Sequence, residues 1–173
     1  EIVLYMKKMS KIVICAVAGA CAGGAANLAF ACDFIYAADN AKFLQAFVGI
    51  GLCPDTGGVY TLPRMIGTHR AFDMFVTGRI VAAKEAYDIG LVKAVTTKEE
   101  LLPTVYAFAE KLTKGPTLAY RNMKKLMFES IYKGFEEYMK AESVYLGECS
   151  SSEDFKEGIT AFLEKRPAEF KGK

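Results

Sequence analysis

The chain has 173 residues, 52% of them hydrophobic, and a net charge of +2 from 22 basic and 20 acidic side chains. Length and apolar content suit one compact unit with a sizeable core, and the balanced charge, with no long run of one sign, excludes a nucleic-acid footprint and a polybasic membrane patch. The five cysteines (15, 21, 32, 53 and 149) are odd in number and lack a C-x-x-C, so a reduced, cytoplasmic protein is expected.

The chain begins at Glu1 rather than Met and shows no leader pattern. Glu1 to Met9 reads as the end of a helix, with Ile2, Tyr5, Met6 and Met9 on one side. Lys11 to Ala18, rich in Val and Ile, predicts a strand buried on both faces. Gly19 permits a turn that other residues resist. Gly23-Gly24-Ala25-Ala26 then offers bare backbone, and Ala25 to Ala31 predicts a short helix. The free N–H groups at its start favour an oxygen that carries or develops negative charge.

Other readings compete for this stretch. Ile12 to Cys32 is long enough to span a membrane, and Gly19/Gly23 form a GxxxG. Its Ala, Gly and Cys are weakly hydrophobic, however, and its first half prefers strand, so no membrane span is expected. Packing glycines between strand and helix are the plainer alternative. Neither G-x-G-x-x-G nor G-x-x-x-x-G-K-[ST] occurs here, so a nucleotide loop is excluded.

Asp33 to Ala38 predicts a second strand and Ala41 to Gln45 a third. Asp33 reads as a structural residue between helix and strand. Pro54-Asp55-Thr56-Gly57-Gly58 delivers a carboxylate toward the glycine segment, although Asp55 in this setting also fits a helix N-cap. Helices dominate from Val59 onward, with breaks at Gly67 and Gly78. The lone histidine, His69, lies in a turn opening the second of these helices. Ala82 to Ile89 predicts a helix, Leu91 to Val95 a strand, and Lys98 to Lys114 an amphipathic helix carrying Leu101, Val105, Phe108 and Leu112. Gly115-Pro116 is the clearest boundary, dividing a core (1–115) from a helical region (116–173). Beyond it, Leu118 to Ile131, Phe135 to Gly147 and Ser152 to Lys165 read as helices. Phe135, Tyr138, Met139, Tyr145 and Leu146 suit packing or subunit contacts.

The string VAGACAGGAANLAFACDFIYAADNAKFLQAFVGIGLCPDTGG resembles the signature of the crotonase (enoyl-CoA hydratase/isomerase) superfamily. LPRMIG, TGRIVAAKEAYDIGLV and EGITAFLEKRPAEF extend the resemblance over nearly the whole chain. It implies an α/β fold: a ββα spiral core, incomplete at the N-terminus, and a C-terminal helical trimerisation region. Relative to that pattern, roughly the first third is absent, including a second oxyanion-hole N–H and much of the acyl-CoA groove.

The resemblance further implies a coenzyme A thioester as substrate, no permanently bound cofactor or metal, and a homotrimer or hexamer. The thioester oxygen becomes an enolate held by backbone N–H groups, of which Gly24 supplies one, flanked by Gly23 and Ala25. Hydratases of the family use two glutamates; their positions are occupied here by Asn27 and Phe47, which argues against a hydratase built the usual way. Asp55 matches the catalytic aspartate of some isomerases, and the pattern looks most like the 1,2-epoxyphenylacetyl-CoA isomerase branch of phenylacetate degradation. Phe47 beside it would exclude water. Phe162 and Lys165 resemble residues that contact CoA from the terminal helix, although Lys165 also suits a solvated helix end. The leading expectation is an acyl-CoA isomerase. The alternatives are an enoyl-CoA hydratase, a catalytically impaired acyl-CoA-binding or assembly protein, and an enzyme using Asp55 as a nucleophile.

Overall fold

The computed structural model describes residues 2–172; Glu1, which the sequence places in the first helix, lies outside them. In chain order the elements are α1 (Ile2–Lys8), β1 (Ile14–Val17), β2 (Ala20–Ala22), α2 (Gly23–Ala31), β3 (Phe34–Ala38) and β4 (Lys42–Leu44). A 3-10 turn (Ala46–Ile50), α3 (Gly58–Ile66), α4 (Thr68–Thr77), β5 (Val81–Ala82), α5 (Ala83–Asp88) and β6 (Ala94–Thr96) follow. Four helices complete the chain: α6 (Lys98–Thr113), α7 (Thr117–Ile131), α8 (Phe135–Ser151) and α9 (Glu153–Glu164).

The strands are dealt to two small sheets. One has the order β1-β3-β6, all parallel; the other has the order β2-β4-β5, with β2 and β4 parallel and β5 antiparallel. The first two passages, β1-β2 and β3-β4, each contribute one strand to each layer before a helix returns the chain; in the third, α5 stands between β5 and β6. Between the layers and their helices lies a core of Phe30, Phe43, Leu62, Met74, Val81 and Leu91. Alanines 26 and 29 let α2 approach the strands closely, so that Phe30 meets the Phe43 ring at 6.4 Å between centroids.

One register matters for the site. β2 and β4 run parallel with Ala22 opposite Leu44. The residues leaving the two strands therefore emerge side by side: Gly23 and Gly24 after β2, Gln45 and Phe47 after β4.

Several expectations are corrected. β1 is half-buried except at Val17, because it forms an edge of its sheet. In α1 the inward residues are Val3 and Lys7, while Ile2 and Tyr5 are exposed. Lys7 tolerates burial because its ammonium donates to the Tyr132 hydroxyl at 3.1 Å and lies over that ring. α2 starts at Gly23, two residues early, so Gly24 is its second residue. The short strands β2 and β5 and the 3-10 turn carry no periodic signal. β6 begins at Ala94 because Leu91 and Val92 turn back to bond the Ala86 carbonyl. α8 runs on to Ser151. The breaks at Gly67 and Gly78 hold, and Gly115-Pro116 falls between α6 and α7.

Candidate active site

The first turn of α2 faces the loop that precedes α3. A Cβ built on Gly24 would stand 3.5 Å from Asp55 Oδ1 and 3.6 Å from Thr56 Oγ1. A Cβ on Gly23 would stand 3.6 Å from the Phe47 ring. The Asp55 carboxylate thus lies close to Gly24, and the buried Phe47 ring lies beside Gly23. Ala25, next in α2, is exposed.

Asp55 does not cap α3. The helix begins at Gly58 with Gly57 as its cap residue and no side-chain cap bond. Asp55 contributes its backbone carbonyl to the junction, accepting from Gly58 N–H at 2.9 Å. Among the described residues, the side-chain bond to its carboxylate comes from the Thr56 hydroxyl at 2.6 Å. The carboxylate itself is therefore left available for chemistry.

Asn27 has a different place from the one expected. It is 0% exposed, donates from Nδ2 to the Asp55 carbonyl at 2.8 Å, and accepts from Gln45 Nε2 at 3.0 Å. Asn27 is a strut beneath the Asp55 turn and carries no surface for substrate. Gly58 is glycine for this reason: a Cβ there would come within 2.4 Å of Asn27 Nδ2.

The turn itself is unusual. Thr56, a β-branched residue, is left-handed at φ 53, and Gly57 follows at φ 74. A Cβ on Gly57 would meet the Phe135 ring at 2.8 Å, so glycine is required there for space as well as conformation.

A residue that sequence reasoning missed lies behind this turn. Glu142 of α8 is 8% exposed, and its Oε2 accepts from Gly57 N–H at 2.9 Å and from the Tyr138 hydroxyl at 2.7 Å. Burial first, and then the nearby Asp55 charge, push the Glu142 carboxyl above its ordinary value, against its own hydrogen bonds. A signal was available: Phe135, Tyr138, Met139 and Glu142 share one helical stripe at i, i+3, i+4 and i+7, which puts a carboxylate on an apolar face. Burial, and secondarily Cys149, push the Cys53 thiol up to about 11, so it stays protonated at neutral pH.

The remaining candidates lie apart from this cluster or outside its bonding. His69 is exposed at the start of α4. Asp33 accepts from Val13 N–H and from Lys124 Nζ, a structural tie as expected. Phe162 is 73% exposed, and Lys165 is the left-handed C-cap of α9. Among the described residues no group of His, Cys, Asp and Glu is arranged to hold a metal ion, and no helix is long and apolar enough to cross a membrane.

A family model described as enoyl-CoA hydratase/isomerase matches residues 2–173. The chain belongs to this family. It is 37% identical over its whole length to a trans-2-decenoyl-[acyl-carrier-protein] isomerase of Streptococcus mutans and covers 66% of that protein. It is 42% identical, over 95% of its length, to a crotonyl-CoA hydratase of Syntrophomonas wolfei, of which it covers 64%. The crystal structure of an enoyl-CoA hydratase from Mycobacterium avium subsp. paratuberculosis superposes with a TM-score of 0.94 at 31% identity, over 98% of this chain and 69% of that one. The crotonase-type α/β fold with a helical C-terminus is established by this match, and the chain spans just under two thirds of the length of the two relatives.

Proposed function

We propose that the complete protein is an enzyme that shifts a double bond in an acyl-CoA thioester through an enolate. The observation that carries this reading is the approach of the Asp55 carboxylate to Gly24, together with the absence of a second acid where Asn27 and Phe47 stand.

In this reading the substrate α-carbon lies beside Asp55. The carboxylate removes an α-proton, and the electron pair moves into the thioester to form an enolate. The Gly24 N–H, at the start of α2 with the Gly23 and Ala25 backbone beside it, donates to that oxygen, where negative charge develops. The enolate then collapses, and Asp55 returns the proton to the γ-carbon, so a 3-enoyl thioester becomes a 2-enoyl thioester. One carboxylate suffices because both carbons lie within its reach. Proton and electrons stay within the substrate, so the reaction asks for no redox partner or metal.

The helical region from 116 to 173 serves assembly into a trimer or a pair of trimers. Its exposed Leu126, Met127, Tyr145, Phe162 and Leu163 support that role. Phe162 and Lys165 contact CoA near that boundary. Unpaired cysteines at all five described positions support a reducing, cytoplasmic setting, and an aryl acyl group of the phenylacetate type is the substrate that the sequence pattern favours.

The test is turnover of a 3-enoyl-CoA by the complete protein, followed by formation of the 2-enoyl product. Binding of CoA esters without turnover would replace this reading with a noncatalytic one. An acyl-aspartate at Asp55 in intact mass spectra would replace proton transfer with nucleophilic catalysis.

A further inference from the structure

Resting on that reading, we infer that Glu142 of α8 is a positioning residue for Asp55, holding the turn that presents its carboxylate to Gly24. The argument starts from the backbone. Thr56 and Gly57 both stand in the left-handed region, and for a β-branched threonine this conformation is unfavourable on its own. Something outside the turn must hold it.

Three ties are on the page. Asn27 holds the Asp55 carbonyl from below. Gly58 N–H closes the turn onto the same carbonyl. Glu142 Oε2 takes the Gly57 N–H from the opposite side, across 85 residues of sequence. The third reaches the left-handed pair itself; the Gly57 carbonyl is taken within α3 by the Thr61 N–H and hydroxyl, each at 3.0 Å, so Glu142 is the hold on that pair from a distant helix. The third tie is also the costly one, because it keeps a carboxylate 8% exposed near the carboxylate of Asp55. An amide oxygen could accept the same bond without a buried charge, so the geometry of this acceptor, rather than its charge, is what the turn uses.

The bonding pattern sharpens the claim. Gly57 N–H and the Tyr138 hydroxyl both donate to the same oxygen, Oε2. Tyr138 comes from the preceding turn of α8, and its ring packs against Tyr60 of α3 and Phe135. The carboxylate is thereby fixed in rotation between two helices. Release of Gly57 would let Thr56 relax toward an ordinary conformation. Thr56 carries the hydroxyl that holds Asp55 Oδ1, so the carboxylate would swing with it. A misplacement of about 1 Å costs on the order of 100-fold in rate.

The experiment uses the complete protein carrying Glu142→Ala, Glu142→Gln or Tyr138→Phe, each assayed for kcat and KM on a 3-enoyl-CoA alongside thermal melting. Glu142→Ala is expected to lower kcat by about 10- to 100-fold with KM changed by less than about threefold. Glu142→Gln, whose single oxygen can accept both bonds, is expected to recover kcat to within about threefold of the parent. Wild-type kcat per folded molecule in Glu142→Ala would overturn the inference, and so would failure of Glu142→Gln to recover it.

If Glu142→Ala does not fold, Tyr138→Phe keeps the question open to test, since loss of one donor frees the carboxylate to rotate. It should then lower kcat by about three- to tenfold without raising KM, and an unchanged kcat would count against the inference. Asp55→Asn separates this claim from the reading beneath it. Full activity in Asp55→Asn removes the reading. An impaired Asp55→Asn whose residual rate falls further, by the same factor, on adding Glu142→Ala removes only the inference, because Glu142 would then act independently of Asp55.

Discussion

Asn27 carries Asp55 by its backbone: Nδ2 donates to the Asp55 carbonyl at 2.8 Å, while the carboxylate of the same residue points to Gly24. Support and chemistry are thereby separated onto two ends of one residue. The side chain can be altered without disturbing what holds the turn in place.

Asp55→Asn should therefore lower turnover of a 3-enoyl-CoA by about two to four orders of magnitude, the loss expected for a general base. Asp55→Asn should melt near the parent temperature, and Asp55→Ala only modestly below it, since it loses one hydrogen bond and no helix cap. The bond at risk is the one from Thr56, worth about 1.5–3 kcal/mol to a carboxylate and largely kept in Asp55→Asn, whose amide oxygen can accept it. A large drop in melting temperature for Asp55→Ala, with activity per folded molecule retained, would restore the capping role that the geometry removes.

Gly24 offers a pair of contrasting substitutions. Gly24→Ala places a methyl at ordinary contact distance from Asp55 and Thr56, so it should fold, yet it occupies space beside the carboxylate. Gly24→Pro deletes the donating N–H near a helix start, where proline is best tolerated. Its turnover should fall by about 100- to 1000-fold while CoA-ester affinity survives. Wild-type turnover by a folded Gly24→Pro protein would remove the oxyanion role.

Gly58 and Asn27 should be energetically coupled. A Cβ at 58 would overlap the Asn27 amide, with all three of its outer atoms within 2.5 Å. Gly58→Ala alone should cost about 1–3 kcal/mol, as overpacking does. Asn27→Ala should cost a similar amount, about 1–3 kcal/mol, by leaving buried polar partners unmet. The double variant should be less destabilised than the sum, since the second change removes the clash of the first. Denaturant melts that add up would contradict this packing.

The pH dependence of stability has a sign set by Glu142. Its native carboxyl is raised above the ordinary value of 4.5, chiefly by burial, with Asp55 adding to the shift and Tyr138 and the Gly57 amide opposing it. Cys53 also senses its charge. Below the ordinary value both folded and unfolded states hold the proton. Between that value and the raised one only the folded state holds it, so stability falls as pH rises. Glu142→Gln has no proton to lose. Its melting temperature relative to the parent should therefore improve from about pH 4 to about pH 7. A constant difference across that range would show that the native carboxyl is not raised.

The proposed assembly has a direct test. α7 has no buried residue, and α8 and α9 expose Val144, Tyr145, Phe162 and Leu163. The full chain should scatter light as a trimer or a multiple of it. A stable monomer at micromolar concentration would contradict the assembly role of this region.

Local chemistry is enough to read much of this protein from its sequence. Helical periodicity and glycine breaks mark α3, α4, α6 and the C-terminal helices, and the glycine–alanine run marks the amide-bearing start of α2. Asn27 and Phe47 are plain residue identities, and it is the resemblance to the family that implies they stand where hydratases carry two glutamates. What the sequence leaves open is which groups meet. The tie from Asn27 to Asp55 spans 28 residues and that from Gly57 to Glu142 spans 85. Neither leaves a local pattern, because each arises where parallel strands end together or where a distant helix packs back. The two-residue strand β5 and the three-residue β2 are too short for periodicity to register and exist only through their partners. The same holds for Asp55: an Asp before Thr-Gly-Gly reads equally well as a helix cap or as a base. Only the left-handed turn, which sends its carbonyl to the helix and leaves its carboxylate near Gly24, removes the cap reading.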